Sequence, residues 1–533
     1  SVASRGLGDV YKRQDQVSKS LERLKFDEAF ILQTVLMQRR AKDSLLPATP
    51  RGAKKDGILS IFDKNLPFEL TNGQKEIGEL LFKEINQTHP MHRLLQGDVG
   101  SGKTIVALRA MLAAVDAGGQ TALLAPTEVL AGQHFRTIKK LLGDLATKGE
   151  IGGSEIGTKV ELLTGSVTGQ NRNNVLSNIK NGDSGIVIGT HALIQEGVKF
   201  NDLALVVVDE QHRFGVEQRA ALAQKSPGDK RPHVLVMTAT PIPRTVAMTV
   251  FGDLDICSLE ELPKGRSPIT THVVDSNEKP AHLERAWQRA VEEVKNKHQV
   301  YIVCPRIGGE VGEEDTNINN EDEKRPPLAV LEVAPKLSGG PLKDVRVGIL
   351  HGRMSSEEKD DIMKKFNLGP ESKDGIDVLV STTVIEVGVD VPNATMMIIL
   401  DSDRFGVSQL HQLRGRIGRG KLPGLCIFVT ESPEDSLARD RLKAVAATTD
   451  GFELAQLDLE IRREGNVLGS RQSGKKSSLK LLQVVKDVEI VEKARDACKK
   501  LVDEDISLNN AQALQKAVIE IEKETETEFL EKN

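Results

Sequence analysis

Six short apolar runs, separated by segments of helical spacing, fill the stretch between Arg93 and Thr240: Arg93–Gln96, Thr121–Pro126, Lys159–Gly165, Gly185–Thr190, Leu203–Glu210 and His233–Thr240. These runs are rich in β-branched residues and apolar on both faces. Strands of that kind, alternating with helices, predict a parallel sheet covered on both sides. After about Lys264–Ser267 the alternation restarts at His272–Asp275, Gln299–Pro305, Val345–His351, Asp377–Thr383, Thr395–Asp401 and Gly424–Thr430. The chain is therefore expected to be α/β, with two tandem parallel-sheet domains.

Flanking segments read differently. Ser1–Gln14 has no periodic pattern and no signal-peptide core, and is expected to be a scar or a disordered tail. From Asp15 to Arg40 two apolar sets recur at helical spacing, Val17, Leu21 and Leu24, then Phe26, Phe30, Ile31, Val35 and Leu36. This predicts two amphipathic helices or one with a wide apolar face. Pro47–Gly57 reads as a linker or loop. The acidic, Asn-rich Gly308–Lys324 is expected to be a solvated insertion, and Asp450–Asn533 to be mainly helical.

Composition excludes several classes. No apolar run approaches the ~20 residues that span a bilayer. Cys257, Cys304, Cys426 and Cys498 lie far apart without metal-like spacing, as expected of reduced thiols. The net charge of −5 supplies no general attraction to nucleic acid, so such binding must rest on local basic clusters. Aromatic residues, at 3 %, are too few to favour base-stacking platforms.

Gly97-Asp98-Val99-Gly100-Ser101-Gly102-Lys103-Thr104 carries the chemistry. It follows a predicted strand and opens a predicted helix, matching the G-x-x-x-x-G-K-[ST] phosphate loop. Gly97, Gly100 and Gly102 let backbone N–H groups curl round phosphate oxygens, and the helix N-terminus adds its positive end. Lys103 is expected on the β/γ-phosphates and Thr104 on Mg²⁺. About a hundred residues on, an apolar strand delivers Asp209 and Glu210 at its carboxyl end. Asp209 is expected to hold Mg²⁺ through water, and Glu210 to orient and deprotonate the attacking water. The second domain supplies Gln412-Leu-Arg-Gly-Arg-Ile-Gly-Arg419, three clustered arginines that need an anionic partner. Arg416 and Arg419 are the candidates to stabilise charge on the transferring phosphoryl group; the alternative is a plain DNA-phosphate cluster.

These segments, with Leu66–Gln74, Ala125–Leu130, Gly189–Ile194, Asp209–Val216, Met237–Thr245, Leu350–Met354, Thr382–Asp390 and Phe405–Gly420, resemble a superfamily 2 helicase, and within it the RecG family of branched-DNA translocases. The resemblance covers about Leu66 to Lys500. It implies two RecA-like domains, a helical N-terminal linker and a mainly helical C-terminal extension. The expected division is 1–14 tail, 15–60 linker, 61–264 first motor domain, 265–445 second, and 446–533 translocation motif with helical extension.

By motif position the resemblance implies that Gln74 reads the adenine edge with Phe68 packing nearby. Gly388 and Asp390 would meet nucleotide from the second domain, and Gln412 would sense the γ-phosphate. Gln211 and His212 would connect hydrolysis to the cleft, and Thr238 and Thr240 would couple it to DNA. DNA contacts fall to Thr127, Thr164, Gly165 and Thr190 in the first domain, Arg353 in the second, and Arg462, Arg463 and Gln472 in the translocation segment. That segment reads Arg-Arg-Glu-Gly where the family commonly has Arg-Gly-Pro-Gly.

The implied activity is ATP-dependent movement on forks and Holliday junctions in DNA repair and recombination, with ATP and Mg²⁺. The protein is expected to be monomeric and not membrane-bound, with single-strand-binding protein as a further candidate partner. Bacterial cytoplasm, or a chloroplast or mitochondrion, would suit it. The family's N-terminal wedge domain is expected to be mostly absent from this sequence, which would impair branch recognition if the chain is complete. A transcription-repair coupling translocase and a catalytically silent nucleic-acid-binding fragment are the alternatives.

Overall fold

Buried strands alternating with helices are what the computed structural model contains. It describes residues 2–149, 152–209, 225, 230–239, 241, 254–261, 267–308, 328–386, 391–420, 422–458, 481–482 and 487–520. The front domain has strands β1 (His92–Gly97), β2 (Gln120–Leu124), β3 (Lys159–Leu163), β4 (Ser184–Gly189), β5 (Leu203–Val208), β6 (His233–Thr238) and β7 (Asp255–Leu259), in the order β3-β4-β2-β5-β6-β1-β7. Every pairing is parallel. All residues of β2, β4, β5 and β6 are buried, as a sheet covered on both faces requires.

One face packs on α2 (Ile58–Asn65), α3 (Asn72–Ile85) and α4 (Lys103–Asp116), with Phe62, Leu81, Ile85, Val106 and Met111 in one cluster with Leu95, Leu123, Leu205 and Val207. Ala107, Ala110, Ala113 and Ala114 are fully buried in α4, and their small side chains let it lie close to the strands. The opposite face packs Leu94, Leu124, Val206 and Val208 with Val175 and Ile179 of α6 (Gly169–Asn181). Helix α5 (Glu128–Leu142) also covers the sheet, through Leu130, Ala131 and Ile138. Fully burying each such aliphatic side chain stabilises the fold by roughly 1.5–3 kcal/mol.

The rear domain repeats the plan. Strands β8 (Ile269–Asp275), β9 (Gln299–Val303), β10 (Val347–Leu350), β11 (Val378–Ser381), β12 (Ala394–Ile399) and β13 (Gly424–Thr430) pair in the order β10-β11-β9-β12-β13-β8, again all parallel. Helices α7 (Pro280–Lys295) and α8 (Val330–Ser338) cover one face through Ala286, Ala290, Val333 and Leu337. Helices α9 (Ser356–Leu368), α10 (Val407–Arg414) and α11 (Leu437–Ala447) cover the other through Phe366, Leu410, Leu413 and Leu442. The two tandem parallel-sheet domains read from the sequence are thus both present.

One local expectation needs correction: α1 is one helix, Val2–Ser44, running through the segment expected to be a tail. It contains no proline, and helix propagation adds one hydrogen bond per residue once a packed part has nucleated it. Strand β7 is an addition to the runs read from the sequence. Pro47–Gly57 is a loop, as expected, and it is docked: Ala48 N donates to Thr88 O at 2.7 Å, and buried Arg51 reaches Asp202 at 2.6 Å.

Helix α1 joins the two ends of the chain. Its Ala29 packs with Leu482, Val491 and Ala494, and its Val35 with Leu508 and Val518, in and around α12 (Val488–Glu504). Lys25 pairs with Asp487 at 2.8 Å, and Arg40 pairs with Asp255 on the β7 edge at 2.7 Å. The acidic insertion lies outside the described residues from 309 to 327, as do 459–480. The four cysteines are free thiols, and burial pushes them up to about 11 (Cys257, Cys498) and 12 (Cys304, Cys426).

Candidate nucleotide site and nucleic-acid face

Strand β1 ends at Gly97 and α4 begins at Lys103, so the phosphate loop occupies the carboxyl edge of the front sheet. Gly100 (φ 84°) and Gly102 (φ 89°) adopt the left-handed backbone that curls the loop. Gly97 runs against β7, where a side chain would press on Leu259 O. Lys103 is buried and its ammonium donates to Gly97 O at 2.7 Å and Asp98 O at 2.8 Å, so the cation closes the loop on itself. Thr104 sits half-buried in the first turn of α4.

Asp209 follows β5, which is separated from β1 only by β6, so carboxylate and loop are about two strand spacings, ~10 Å, apart along the sheet. Its Oδ2 accepts from His134 Nε2 of α5 at 2.7 Å. Sequence reasoning missed His134. Its partner lies 75 positions away, and a lone histidine on a helix carries no motif. Thr238 closes β6 between the two motifs and is buried.

A cavity of about 770 Å³ opens beside the loop, lined by Phe68, Thr71, Gln74, Gly102, Ile105 and Glu261 among others. Phe68 stands at its mouth, 47 % exposed. Gln74 does more than line it. Thr71 and Gln74 form a capping box at the start of α3, with Thr71 N donating to Gln74 Oε1 at 3.0 Å. The amide Nε2 donates to Ser101 O at 2.8 Å. One side chain therefore ties this pocket to the phosphate loop.

The rear domain meets the loop at α10 and the turn after it. His411 Nε2 lies 2.9 Å from Asp98 Oδ1, and a side chain added at Gly415 would approach Val99 Cβ at 3.3 Å. Gln412 is in α10, and Arg416 and Arg419 lie in the turn that follows; Arg419 Nε donates to Gly415 O at 3.0 Å. The segment bearing both arginines is thus packed against the loop bearing Lys103. Asp98 itself was not singled out in the sequence, where it fills a variable position of the motif.

Towards the opposite edge of the front sheet, Thr127, Thr164 and Thr190 follow β2, β3 and β4, which are neighbours in the sheet. Thr127 Oγ1 caps α5 by accepting from Leu130 N at 3.3 Å, and Thr164 Oγ1 lies 2.9 Å from Ser166 Oγ. Gly165 passes close to Glu128, and Thr190 Oγ1 is buried with no hydrogen-bond partner among the described residues. Arg353 follows β10 of the rear sheet and donates to Gly308 O at 3.3 Å. Val129 of the front domain faces Tyr301, Leu350 and Met363 of the rear one across a space of about 40 Å³. Glu210, Gln211, His212, Thr240, Gly388, Asp390, Arg462, Arg463 and Gln472 lie outside the described residues.

Three family profiles match in order along the chain: DEAD/DEAH box helicase over residues 74–249, helicase conserved C-terminal domain over 279–421, and ATP-dependent DNA helicase RecG, domain 3, C-terminal, over 448–526. The ATP-dependent DNA helicase RecG of Mycobacterium tuberculosis (strain ATCC 25618 / H37Rv) is 52 % identical over 481 residues, covering 90 % of this chain and 64 % of its own length. That of Synechocystis sp. is 42 % identical over 494 residues, covering 93 % and 55 %. The chain therefore spans less than two thirds of either relative. A solved structure of RecG bound to a three-way DNA junction superposes with a TM-score of 0.68 at 35 % identity, covering 90 % of this chain and 57 % of that one.

Proposed function

We propose, for a chain that belongs to the RecG family, that ATP hydrolysis in the cleft between the two sheets drives movement on branched duplex DNA. What carries the reading is the apposition of residues 97–104 with the segment around Arg416 and Arg419, held by the 2.9 Å contact between Asp98 and His411. A nucleotide there would be gripped from both sides.

In this reading the adenine enters the cavity between Phe68 and Gln74, and the phosphates meet the loop and the N-terminus of α4. Lys103 exchanges the loop carbonyls for phosphate oxygens. The hydroxyl of Thr104 and the carboxylate of Asp209 are hard oxygen donors that fit Mg²⁺, whose charge would offset that of the β- and γ-phosphates. His134 fixes the orientation of Asp209, and Glu210 deprotonates the attacking water. Arg416 and Arg419 stabilise the charge that develops on the transferring group, with Gln412 reporting its presence. Loss of the γ-phosphate removes the bridge between the lobes, and the cleft opens.

DNA runs across the carboxyl edges of both sheets. Thr127, Thr164, Gly165, Thr190 and Arg353 meet its backbone, and Arg462, Arg463 and Gln472 convert lobe movement into a pull on the duplex. Contacts of this sort read phosphate, not sequence. The solved relative carries a three-way junction, which makes forks and Holliday junctions the substrates to test first. The chain acts as a monomer in bacterial cytoplasm, with single-strand-binding protein as a partner to test.

ATP turnover with forked DNA, linear duplex and RNA tests the proposal. Forked DNA should stimulate most, and Lys103→Ala should abolish the stimulated rate. Equal stimulation by RNA, or turnover by the Lys103 variant near the parent rate, would refute it.

A further inference from the structure

Asp98 makes contacts that a phosphate loop does not need in order to bind phosphate. Its side chain is buried at the junction of three segments. Oδ1 lies 2.9 Å from His411 Nε2 in α10 of the rear domain, and Oδ2 accepts from the backbone N–H of Gly451 at 3.1 Å, where the chain leaves the rear domain for the C-terminal extension. Its backbone carbonyl meanwhile accepts from Lys103 Nζ at 2.8 Å. One residue therefore holds the nucleotide-binding lysine, the rear lobe and the start of the extension.

The proton positions follow from the chemistry of the partners. Arg414 Nη2 lies 3.1 Å from His411 Nδ1, and a guanidinium can only donate. Nδ1 must therefore accept, and the single ring proton sits on Nε2, where it is donated to Asp98. Arg414 is 1 % exposed, and its Nη1 donates to Val445 O at 2.7 Å. A carboxylate of the front lobe is thus linked to a guanidinium of the rear lobe through one imidazole. Burial pushes the Asp98 carboxyl up, but the His411 hydrogen bond, the Gly451 N–H and the Lys103 charge outweigh it and hold the group below its ordinary range.

The contact is too tight to be incidental. A methyl group on Gly451 would overlap Asp98 Oδ1 and lie 2.9 Å from His411 Nε2. Only a residue without a side chain lets the three segments close.

We propose that Asp98 and His411 are positioning residues that transmit the state of the phosphate loop to the rear lobe and, through Gly451, to the C-terminal extension. The inference rests on the motor reading above and adds the route by which nucleotide state leaves the loop. When Lys103 exchanges the Gly97 and Asp98 carbonyls for phosphate, the restraint on both residues changes, and of the two only Asp98 has a side chain that reaches the rear lobe. Its carboxylate carries that change to both partners, a contiguous hydrogen-bonded connection between sites.

The test uses the full chain and four variants: Asp98→Asn, His411→Ala, His411→Gln and Gly451→Ala. Fluorescent ATP-analogue binding, ATP turnover with and without forked DNA, and melting temperature are measured for each. Asparagine has one acceptor oxygen and cannot serve both partners, whereas glutamine at 411 can donate to Asp98 and accept from Arg414. The expected result is nucleotide binding within about threefold of the parent, with DNA-stimulated turnover down roughly tenfold or more in Asp98→Asn, His411→Ala and Gly451→Ala. His411→Gln should recover most of what His411→Ala loses. Stimulated turnover within about twofold of the parent in all four overturns the coupling, as does a loss of binding and turnover in proportion to melting temperature. A parent chain that no DNA stimulates refutes the motor reading, and the coupling with it. A stimulated parent matched by its variants refutes the coupling alone.

Discussion

Replacing Gly102 by alanine places a methyl group at a residue with φ of 89°, where it overlaps Gln74 Nε2. Two costs follow. The left-handed backbone disfavours a residue with a Cβ by ~1 kcal/mol. Displacing the Gln74 amide breaks its 2.8 Å bond to Ser101 O, a loss of ~1 kcal/mol net. Together these are about 2 kcal/mol charged against the loop conformation that receives phosphate, or roughly a 30-fold fall in kcat/KM for ATP. Steady-state ATP hydrolysis on forked DNA reads the effect. Gly118→Ala is the matched control. Its φ of 87° carries the same backbone cost, but no described residue beyond its chain neighbours lies within 4 Å of the new methyl. It should lower stability alone and leave kcat/KM unchanged. A Gly102 variant within threefold of the parent would refute the claim that Gln74 braces the loop.

Two further outcomes are expected. His134→Ala should raise the Mg²⁺ concentration needed for half-maximal turnover by about 10-fold or more, because partners that orient a ligating carboxylate affect metal affinity on that scale; an unchanged Mg²⁺ dependence would remove His134 from the site. His233, buried between Met91 N at 3.0 Å and Thr49 O at 3.3 Å, has its imidazole pushed down from 6.5 to about 4, first by burial. The unfolded chain therefore binds the proton first, so stability is full above about pH 6.5 and is lost as pH falls towards 4, by about 3 kcal/mol. Urea midpoints across that window should fall less steeply in His233→Gln than in the parent.

Much of this architecture was legible because buried parallel strands announce themselves. Leu203-Ala-Leu-Val-Val-Val208 has no polar position, and a chain can bury such a run only between two layers of helix. The run Asp255-Ile-Cys-Ser-Leu259 escaped notice because an edge strand is only half covered. Four of its five residues are partly exposed, and its pairing with β1 fixes its conformation more than its composition does. The extent of α1 is not legible because Ser1–Gln14 has no periodicity, whereas the packing of the helix among the described side chains lies beyond residue 24. The phosphate loop was readable as a local motif. The contacts that surround it were not: His134 with Asp209, and His411 and Gly451 with Asp98, join residues 75, 313 and 353 positions apart. Such pairs leave no local trace in one sequence.

A motor of this kind requires a nucleotide held by both lobes at once. ATP-analogue binding and single-turnover hydrolysis, measured side by side on Arg416→Ala and Arg419→Ala with forked DNA present, test that most directly. Binding should persist while the hydrolysis rate falls by ~10³-fold or more in at least one variant, the scale of a lost arginine at a transferring phosphoryl group. Hydrolysis at the parent rate in both variants would contradict it.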